Sequence, residues 1–389
     1  MQAGFSRLNY WCLILCVVMV FGVILVEVVQ VTRWGGHPYF HGDWLISNIG
    51  GTVRRGISGD IVFWISEVAS VKPIWVITTI QLSIAVVVIW TLTLTVMRYG
   101  VSDRLLIIVL SPAVVPFFGT ASFDAIRKEF LFYLALTPML VPSRSPKALI
   151  AIYVLTTLLF GIATFVHEMN AVLLPFFLTA LFLKFRTVFG YKTLAALALL
   201  PAGIALAAVI YALHFSTAPD LALICSEITT RQMSENLCTG TIAWLDRPLE
   251  QQMAITFDRH ISVIGLTNSL LIYSTAAVPF VMCLSVINGP FRASLTVFGS
   301  ALVLLPLYLV AIDWGRWMSV HLTSLCFLIL IYVGTSSTSQ FRSPVRPQIK
   351  WMAIAAAFLI GLNHISISVE SNLITSAIDN STTILEKLL

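Results

Sequence analysis

Residues 8–32, LNYWCLILCVVMVFGVILVEVVQVT, form an apolar run whose one charged residue is Glu27. As a helix this run is about 37 Å long, more than the roughly 30 Å of a bilayer's hydrocarbon core. It is too long for a cleavable signal peptide and has no small-residue cleavage site, so it reads as a first spanning helix. Apolar runs of similar length recur along the chain, separated by short polar connectors. The sequence places spans at residues 9–32, 74–97, 105–122, 129–142, 148–166, 169–184, 193–213, 261–286, 294–312, 317–334 and 351–367. The composition agrees, because 58% of the 389 residues are hydrophobic and 11% are charged, against about 25% charged in soluble domains. The expected fold is all-α: a polytopic integral membrane bundle of about eleven transmembrane helices, forming one domain over residues 1–389.

The connectors set an expected orientation. With Arg7 in the cytoplasm, the inner connectors are RYGVSDR, PSRSPK, KFRTVFGYK, NGPFR and the stretch ending in FRSPVRPQIK, each short and basic as the positive-inside rule requires. The inner side then holds 12 Lys or Arg and one acid, Asp103, while all other positions hold 11 Lys or Arg and 17 acids. The N-terminus is expected inside and the C-terminus outside, with a first outer loop at 33–73, a long outer loop at 214–260 and an outer tail at 368–389. The net charge of +5 is spread over loops, not gathered into a basic stripe, so no nucleic-acid partner is expected. Of six cysteines, Cys12, Cys16, Cys283 and Cys326 lie in apolar runs as small hydrophobes. Cys225 and Cys238 share the long loop and form a disulfide candidate if it faces an oxidising compartment.

Four charged motifs fall on the outer side: HGDWLISNIGGTVRRGISGD, SFDAIRKE, HEMN and DWGRW. From Arg127 to Arg144, and again from His167 to Lys184, the chain takes 17 residue steps, about 25 Å of helix and less than the hydrocarbon core. Asp124, Arg127, Lys128, Glu129, His167 and Glu168 are therefore expected below the outer surface, in a sunken polar cavity. In the first loop, glycines 50, 51, 56 and 59 would let the backbone approach a ligand, and Arg54 and Arg55 offer planar forks suited to phosphate. After Asp60, the apolar residues Ile61, Trp64, Ile65 and Val68 share one helical face, which reads as an amphipathic helix lying along the outer surface. Each motif also has a plainer reading. Arg54 and Arg55 would pair with Asp43 and Asp60 or with lipid headgroups, Asp124 would neutralise Arg127 and Lys128 along one helix face, and Asp313 with Arg316 would close a helix end. HEMNA lacks the second histidine of a zinc-protease motif, so no metal ligands are assigned, although a divalent ion stays possible. No nucleotide-binding loop, CxxC pair or GxSxG elbow occurs, and no internal repeat of the kind many secondary transporters carry is visible.

The many spans, the acid soon after the first helix (Asp43 in FHGDW), the surface helix and the recessed arginines resemble the GT-C class of membrane glycosyltransferases and the O-antigen polymerase type of polysaccharide synthesis protein. The resemblance covers most of the chain. It implies a bacterial plasma-membrane enzyme taking donor and acceptor saccharides from polyprenyl phosphate or pyrophosphate lipids on the extracytoplasmic face, without a cofactor. Asp43 corresponds to the GT-C loop acid, but the adjacent acidic pair of some members is absent, which puts metal dependence in doubt. Arg54, Arg55, Arg127 and Arg316 suit the arginine-reliant polymerase variant. The chemistry then asks for Asp43 as base, with His167 as second candidate and Glu168 beside it. Arg54, Arg55, Arg127, Lys128 and Arg316 would sit on phosphate, with Asp60, Asp124, Glu129 and Asp313 in support. The rival reading is a transporter or flippase that binds an anionic solute or lipid-linked sugar in the same basic cavity. Polar residues should then continue toward the cytoplasmic side, whereas the inner halves of most spans are apolar.

Overall fold

The computed structural model describes residues 7–120, 126–260, 263–336, 341, 344–362, 367–368, 373–376 and 378. Its helices are α1 (Arg7–Arg33), α2 (Gly56–Ala69), α3 (Pro73–Arg98), α4 (Asp103–Val109), α5 (Val115–Thr120), α6 (Phe130–Leu136), α7 (Pro146–Val166), α8 (Leu174–Phe185), α9 (Tyr191–His214), α10 (Leu221–Thr230), α11 (Leu249–His260), α12 (Val263–Ser300), α13 (Leu305–Val310), α14 (Trp314–Thr335) and α15 (Pro347–Leu359). α3, α7 and α15 each begin with a proline, whose fixed φ and missing N–H suit a first helical position. On α1, Leu13, Cys16, Val20, Ile24 and Val28 form the buried stripe, while Trp11, Leu15, Val18 and Leu25 are exposed. A helix apolar on both its inner and outer faces suits a hydrocarbon surround. Among the described residues, eight helical stretches are long and apolar enough to cross a membrane. They are α1, α3, α7, Glu168–Phe185, α9, Ser269–Ile287, Gly289–Val310 and α14. α12 contributes two of these because it turns at Gly289, where φ is 74°. α14 is the central helix, its apolar window 83% buried, whereas α9 is peripheral at 17%.

Three of the eleven expected spans are not continuous helices of spanning length. In the span expected at 105–122, the described residues to 120 form α4 and α5 around a turn, because Pro112 and Pro116 lack the N–H that a continuing helix needs. The turn is supported by hydroxyls: Ser319 and Thr323 donate to the Ala113 carbonyl at 2.7 and 3.1 Å, and Ser111 donates to that of Ala276 at 3.1 Å. In the span expected at 129–142, α6 tightens into a 3-10 turn at Thr137–Leu140 with Pro138 near its start. Phe130–Leu140 is thus about 16 Å long, half of what a crossing needs. In the last, α15 stops after 13 residues, and the chain goes on into an antiparallel pair of two-residue strands, β1 (Gly361–Leu362) and β2 (Ile367–Ser368). The tail expected at 368–389 lies largely outside the described residues.

The two ends of the bundle differ. At one end Asp103 pairs with Lys350 at 3.1 Å and accepts from Asn9 Nδ2 at 2.8 Å, tying α1, α4 and α15, and nearby Lys184 donates to the Val141 carbonyl. The other end carries the first loop, residues 126–129, the α7–α8 connection and the start of α14. There α2 packs through Val62, Phe63 and Ser66 and leaves Ile61, Trp64 and Val68 exposed. The segment from α9 to α11 covers the first loop: Arg54 N–H donates to Phe215 O at 2.8 Å and Asp220 N–H to Gly50 O at 3.1 Å, and Arg231 reaches Glu67. A Cys225–Cys238 disulfide links α10 to the turn after it. The loop glycines serve this packing and not a ligand. A Cβ on Gly59 would lie 2.3 Å from Ile46 O, and one on Gly50 would lie 2.1 Å from Asp220 O.

Candidate functional site

The loop-bearing end gathers nine charged side chains that the sequence scatters over 270 positions. Asp43 sits in a 3-10 turn, Gly42–Leu45, and is buried with its neighbour Trp44. Arg55 starts α2 with φ 67° and ψ 0°, a left-handed conformation uncommon outside glycine. Strain of this kind concentrates at functional positions. Here it turns the guanidinium inward between two carboxylates. Arg55 donates from Nε to both oxygens of Glu168 at 3.1 and 2.9 Å, and from Nη2 to Oε1 at 2.7 Å. Its Nη1 donates to Asp43 Oδ1 at 3.2 Å. Arg54 reaches Glu168 at 3.7 Å. Glu168 is available because α7 ends at Val166 and the chain turns through His167 into a 3-10 stretch, Glu168–Leu173.

Lys128 closes this group from below. Fully buried, it donates to the Asp43 carbonyl at 2.7 Å and to Ser58 Oγ at 2.8 Å, and stands 3.8 Å from the Asp43 carboxylate. Its neighbours on the chain build a second group. Arg127 lies 3.6 Å from Asp313, and Arg316 pairs with Asp313 one helical turn away and lies 3.5 Å from Glu129. His167 Nε2, 3.7 Å from the same Glu129 oxygen, joins the two groups. Five cations thus meet four carboxylates in one buried cluster, an excess of one positive charge among the described residues.

Of the residues expected in a recess, Arg127, Lys128, Glu129 and His167 are buried in the protein and Glu168 is half-buried. One expected member stands apart and another is not described. Asp60 is exposed and accepts from the Asn48 backbone at 2.9 Å and from its side chain at 2.6 Å, so it anchors the first loop, and Asp124 lies outside the described residues. The sequence reading passed over Ser58, Asn170 and Trp44. Ser58 and Asn170 lie inside quoted motifs, yet a serine or asparagine carries no charge pattern to mark it. Asn170 Nδ2 donates to Ala163 O at 2.9 Å and holds the α7–α8 turn, and Lys128 lies over the Trp44 ring at 5.7 Å.

The electrostatics separate roles. Burial alone would raise the Asp43 carboxyl, but Lys128 and Arg55 outweigh it and hold it below the usual carboxylate range, so Asp43 is ionised and a weak proton acceptor. Burial, with Arg55 adding to it, lowers His167 to about 4. His167 is neutral near pH 7 and able to accept a proton. Burial also lowers Lys128, to about 8, against the pull of Asp43. Several buried polar atoms have no hydrogen-bond partner among the described residues, including Asp43 Oδ2, Arg54 Nε, Arg127 Nε and His167 Nδ1. Each costs about 1–3 kcal/mol while unsatisfied. The cluster is therefore equipped to meet a polar, anionic group. Among the described residues no three of His, Cys, Asp and Glu come together in a way that would hold a metal ion.

No family model matches the chain, and neither does any curated protein or solved structure.

Proposed function

We propose that this protein is a membrane glycosyltransferase or polysaccharide polymerase that uses polyprenyl-(pyro)phosphate-linked sugars on the extracytoplasmic side of a bacterial plasma membrane. The observation that carries this reading is Arg55, held in a left-handed conformation between Asp43 and Glu168 with Arg54 and Lys128 beside it. A phosphate leaving group needs preorganised positive charge in a poorly solvated place, and that term is usually the largest in such catalysis. The Cys225–Cys238 disulfide over the same end supports an oxidising compartment there.

In the proposed step an acceptor hydroxyl attacks the anomeric carbon. The new C–O bond forms as the C–O bond to the lipid phosphate breaks, and the bonding pair leaves on the phosphate oxygen. Arg54 and Arg55 offset that charge, with Arg127, Lys128 and Arg316 supplying the surrounding positive field. Neutral His167 takes the hydroxyl proton. Asp43, ionised and paired, orients Arg55 and Lys128 in place of acting as base, and Glu129, Glu168 and Asp313 hold the remaining cations. The test is the chain-length ladder of surface polysaccharide in the native host after Arg55→Lys, His167→Gln or Asp43→Asn. The ladder should collapse at normal protein levels, and an unchanged ladder refutes the reading.

The transporter or flippase reading is kept by one observation, the discontinuous α4–α5 segment inside the bundle, since interrupted helices often line transport sites. Purified protein given a lipid-linked sugar separates the two. Release of the lipid phosphate marks the enzyme, and movement of intact substrate between leaflets marks the transporter.

A further inference from the structure

At the end of the bundle away from the charged cluster, Arg186 caps α8 and is exposed. Its guanidinium carbon lies over two rings, Phe182 of α8 at 5.7 Å and Tyr332 of α14 at 5.8 Å. Among the described residues its side chain forms no ion pair and donates no hydrogen bond. Aromatic faces attract a cation without accepting its N–H groups in ordinary hydrogen bonds, so the five donors of the guanidinium stay open. A fork steadied by two rings suits a pair of phosphate oxygens. The charge around it is one-sided: from Met169 to Pro219 the chain carries Lys184, Arg186 and Lys192 and no acid. Asp103, at the same end, is already taken by Lys350 at 3.1 Å.

Phe182 also lines an apolar crevice of about 210 Å³ between α8 and α9, with Leu178, Leu181, Phe185, Tyr191 and Ala195 among its walls. Tyr191 stacks on Phe182 with ring centroids 6.2 Å apart. From Leu178 to Phe185 the crevice follows about 10 Å of helix. One ring thus meets both the guanidinium and the crevice, and the cation and the apolar surface belong to one place. We infer that this place binds an anionic glycerophospholipid of the surrounding bilayer, with its phosphate on Arg186 and part of one acyl chain in the crevice. Basic sites between transmembrane helices hold such headgroups, and the crevice gives a lipid an advantage over a free anion. The inference is independent of the proposed function, because this lipid is retained and not turned over. It would brace α8 and α14, the helices whose far ends lead to Glu168 and Arg316.

The test titrates the whole protein, in a neutral detergent, with phosphatidylglycerol or phosphatidylcholine of identical acyl chains and counts retained lipid by native mass spectrometry. Phosphatidylglycerol should bind about tenfold more tightly or better. Arg186→Gln should remove that preference, and Ala195→Trp, which fills the crevice, should weaken retention of both lipids. Both positions are exposed, and a melting temperature taken without lipid checks each fold. Arg144→Gln, at another exposed arginine of the same end, should keep the preference and controls for net charge. Equal retention of the two lipids by the wild type, an equal loss in Arg144→Gln, or full displacement of the lipid by inorganic phosphate overturns the inference.

Discussion

Replacing Arg55 and Glu168 by methionine, singly and together, separates the site's structural role from its chemical one. Arg55 gives Glu168 three hydrogen bonds of 2.7 to 3.1 Å and Asp43 a fourth, and both partners are largely shielded, with side chains 12% exposed. Either single change leaves a buried charge without its main partner, for which the expected loss is about 3–5 kcal/mol. The double change removes both charges and substitutes apolar volume. Asp43 keeps Lys128 at 3.8 Å, so the double variant should lose less than either single one, giving a coupling of at least about 2 kcal/mol. Equilibrium unfolding of purified protein in detergent gives the stabilities, and the polysaccharide ladder gives activity. The stable double variant should be inactive. Single losses below about 1 kcal/mol, typical of exposed pairs, would refute the burial argument, and an active double variant would reduce the pair to scaffolding.

Stability should also report the state of His167. Its folded value of about 4 lies below the ordinary 6.5, so its contribution is complete above pH 6.5 and is lost as pH falls from 6.5 toward 4; the difference between the melting curves of wild type and His167→Gln should change over that window and be flat above it. Replacing Cys225 and Cys238 by serine opens a loop with a sequence separation of 13, worth about 3 kcal/mol in chain entropy. It should raise protease sensitivity at 214–240 and lower activity, since this segment backs Arg54 through Phe215; an unchanged digestion pattern counts against the clamp. Gly59→Ala drives a Cβ to 2.3 Å from Ile46 O and should abolish activity by displacing the turn that carries Asp43, whereas Asp103→Asn at the opposite end, which loses the charge facing Lys350, should lower stability and leave activity unchanged.

What was legible in the sequence followed from transfer energetics. Apolar runs such as 8–32 and 148–166 read as spans because nothing but a hydrocarbon surround suits them, and α1 and α7 are those helices. Hydropathy says nothing of continuity, however. LSPAVVP is as apolar as its neighbours, so the break between α4 and α5 was invisible until Ser319 and Thr323, more than 200 positions away, were seen on the Ala113 carbonyl. The glycines of the first loop misled for a related reason. A close approach demands glycine whatever approaches, and here the approaching groups are Ile46 and Asp220 of the chain itself. Pairing was equally hidden: nothing in the charge spacing links Lys128 to Asp43 or Arg127 to Asp313.

Those pairings bear on why the cluster exists. Buried ion pairs are poor stabilisers, and well-packed apolar residues in their place often leave a protein equally or more stable. A bundle that can fill its centre with Phe132, Phe160 and Phe177 has no need of nine charges for cohesion. Nor does neutralisation explain the arrangement, because it would end with every carboxylate oxygen and guanidinium nitrogen engaged. Asp43 Oδ2, Arg54 Nε and Arg127 Nε are buried without partners among the described residues, and Arg55 adopts a conformation that costs about 1–3 kcal/mol. A phosphate entering beside Arg54 would engage such a donor. Its negative charge would also draw Arg55 and Lys128 away from Asp43 and raise that carboxyl from its depressed value. Asp43 would remain the group that orients those cations, so Asp43→Asn should weaken binding of the lipid phosphate and turnover of bound substrate alike. A loss confined to turnover would make Asp43 a proton acceptor and refute the assignment of that step to His167.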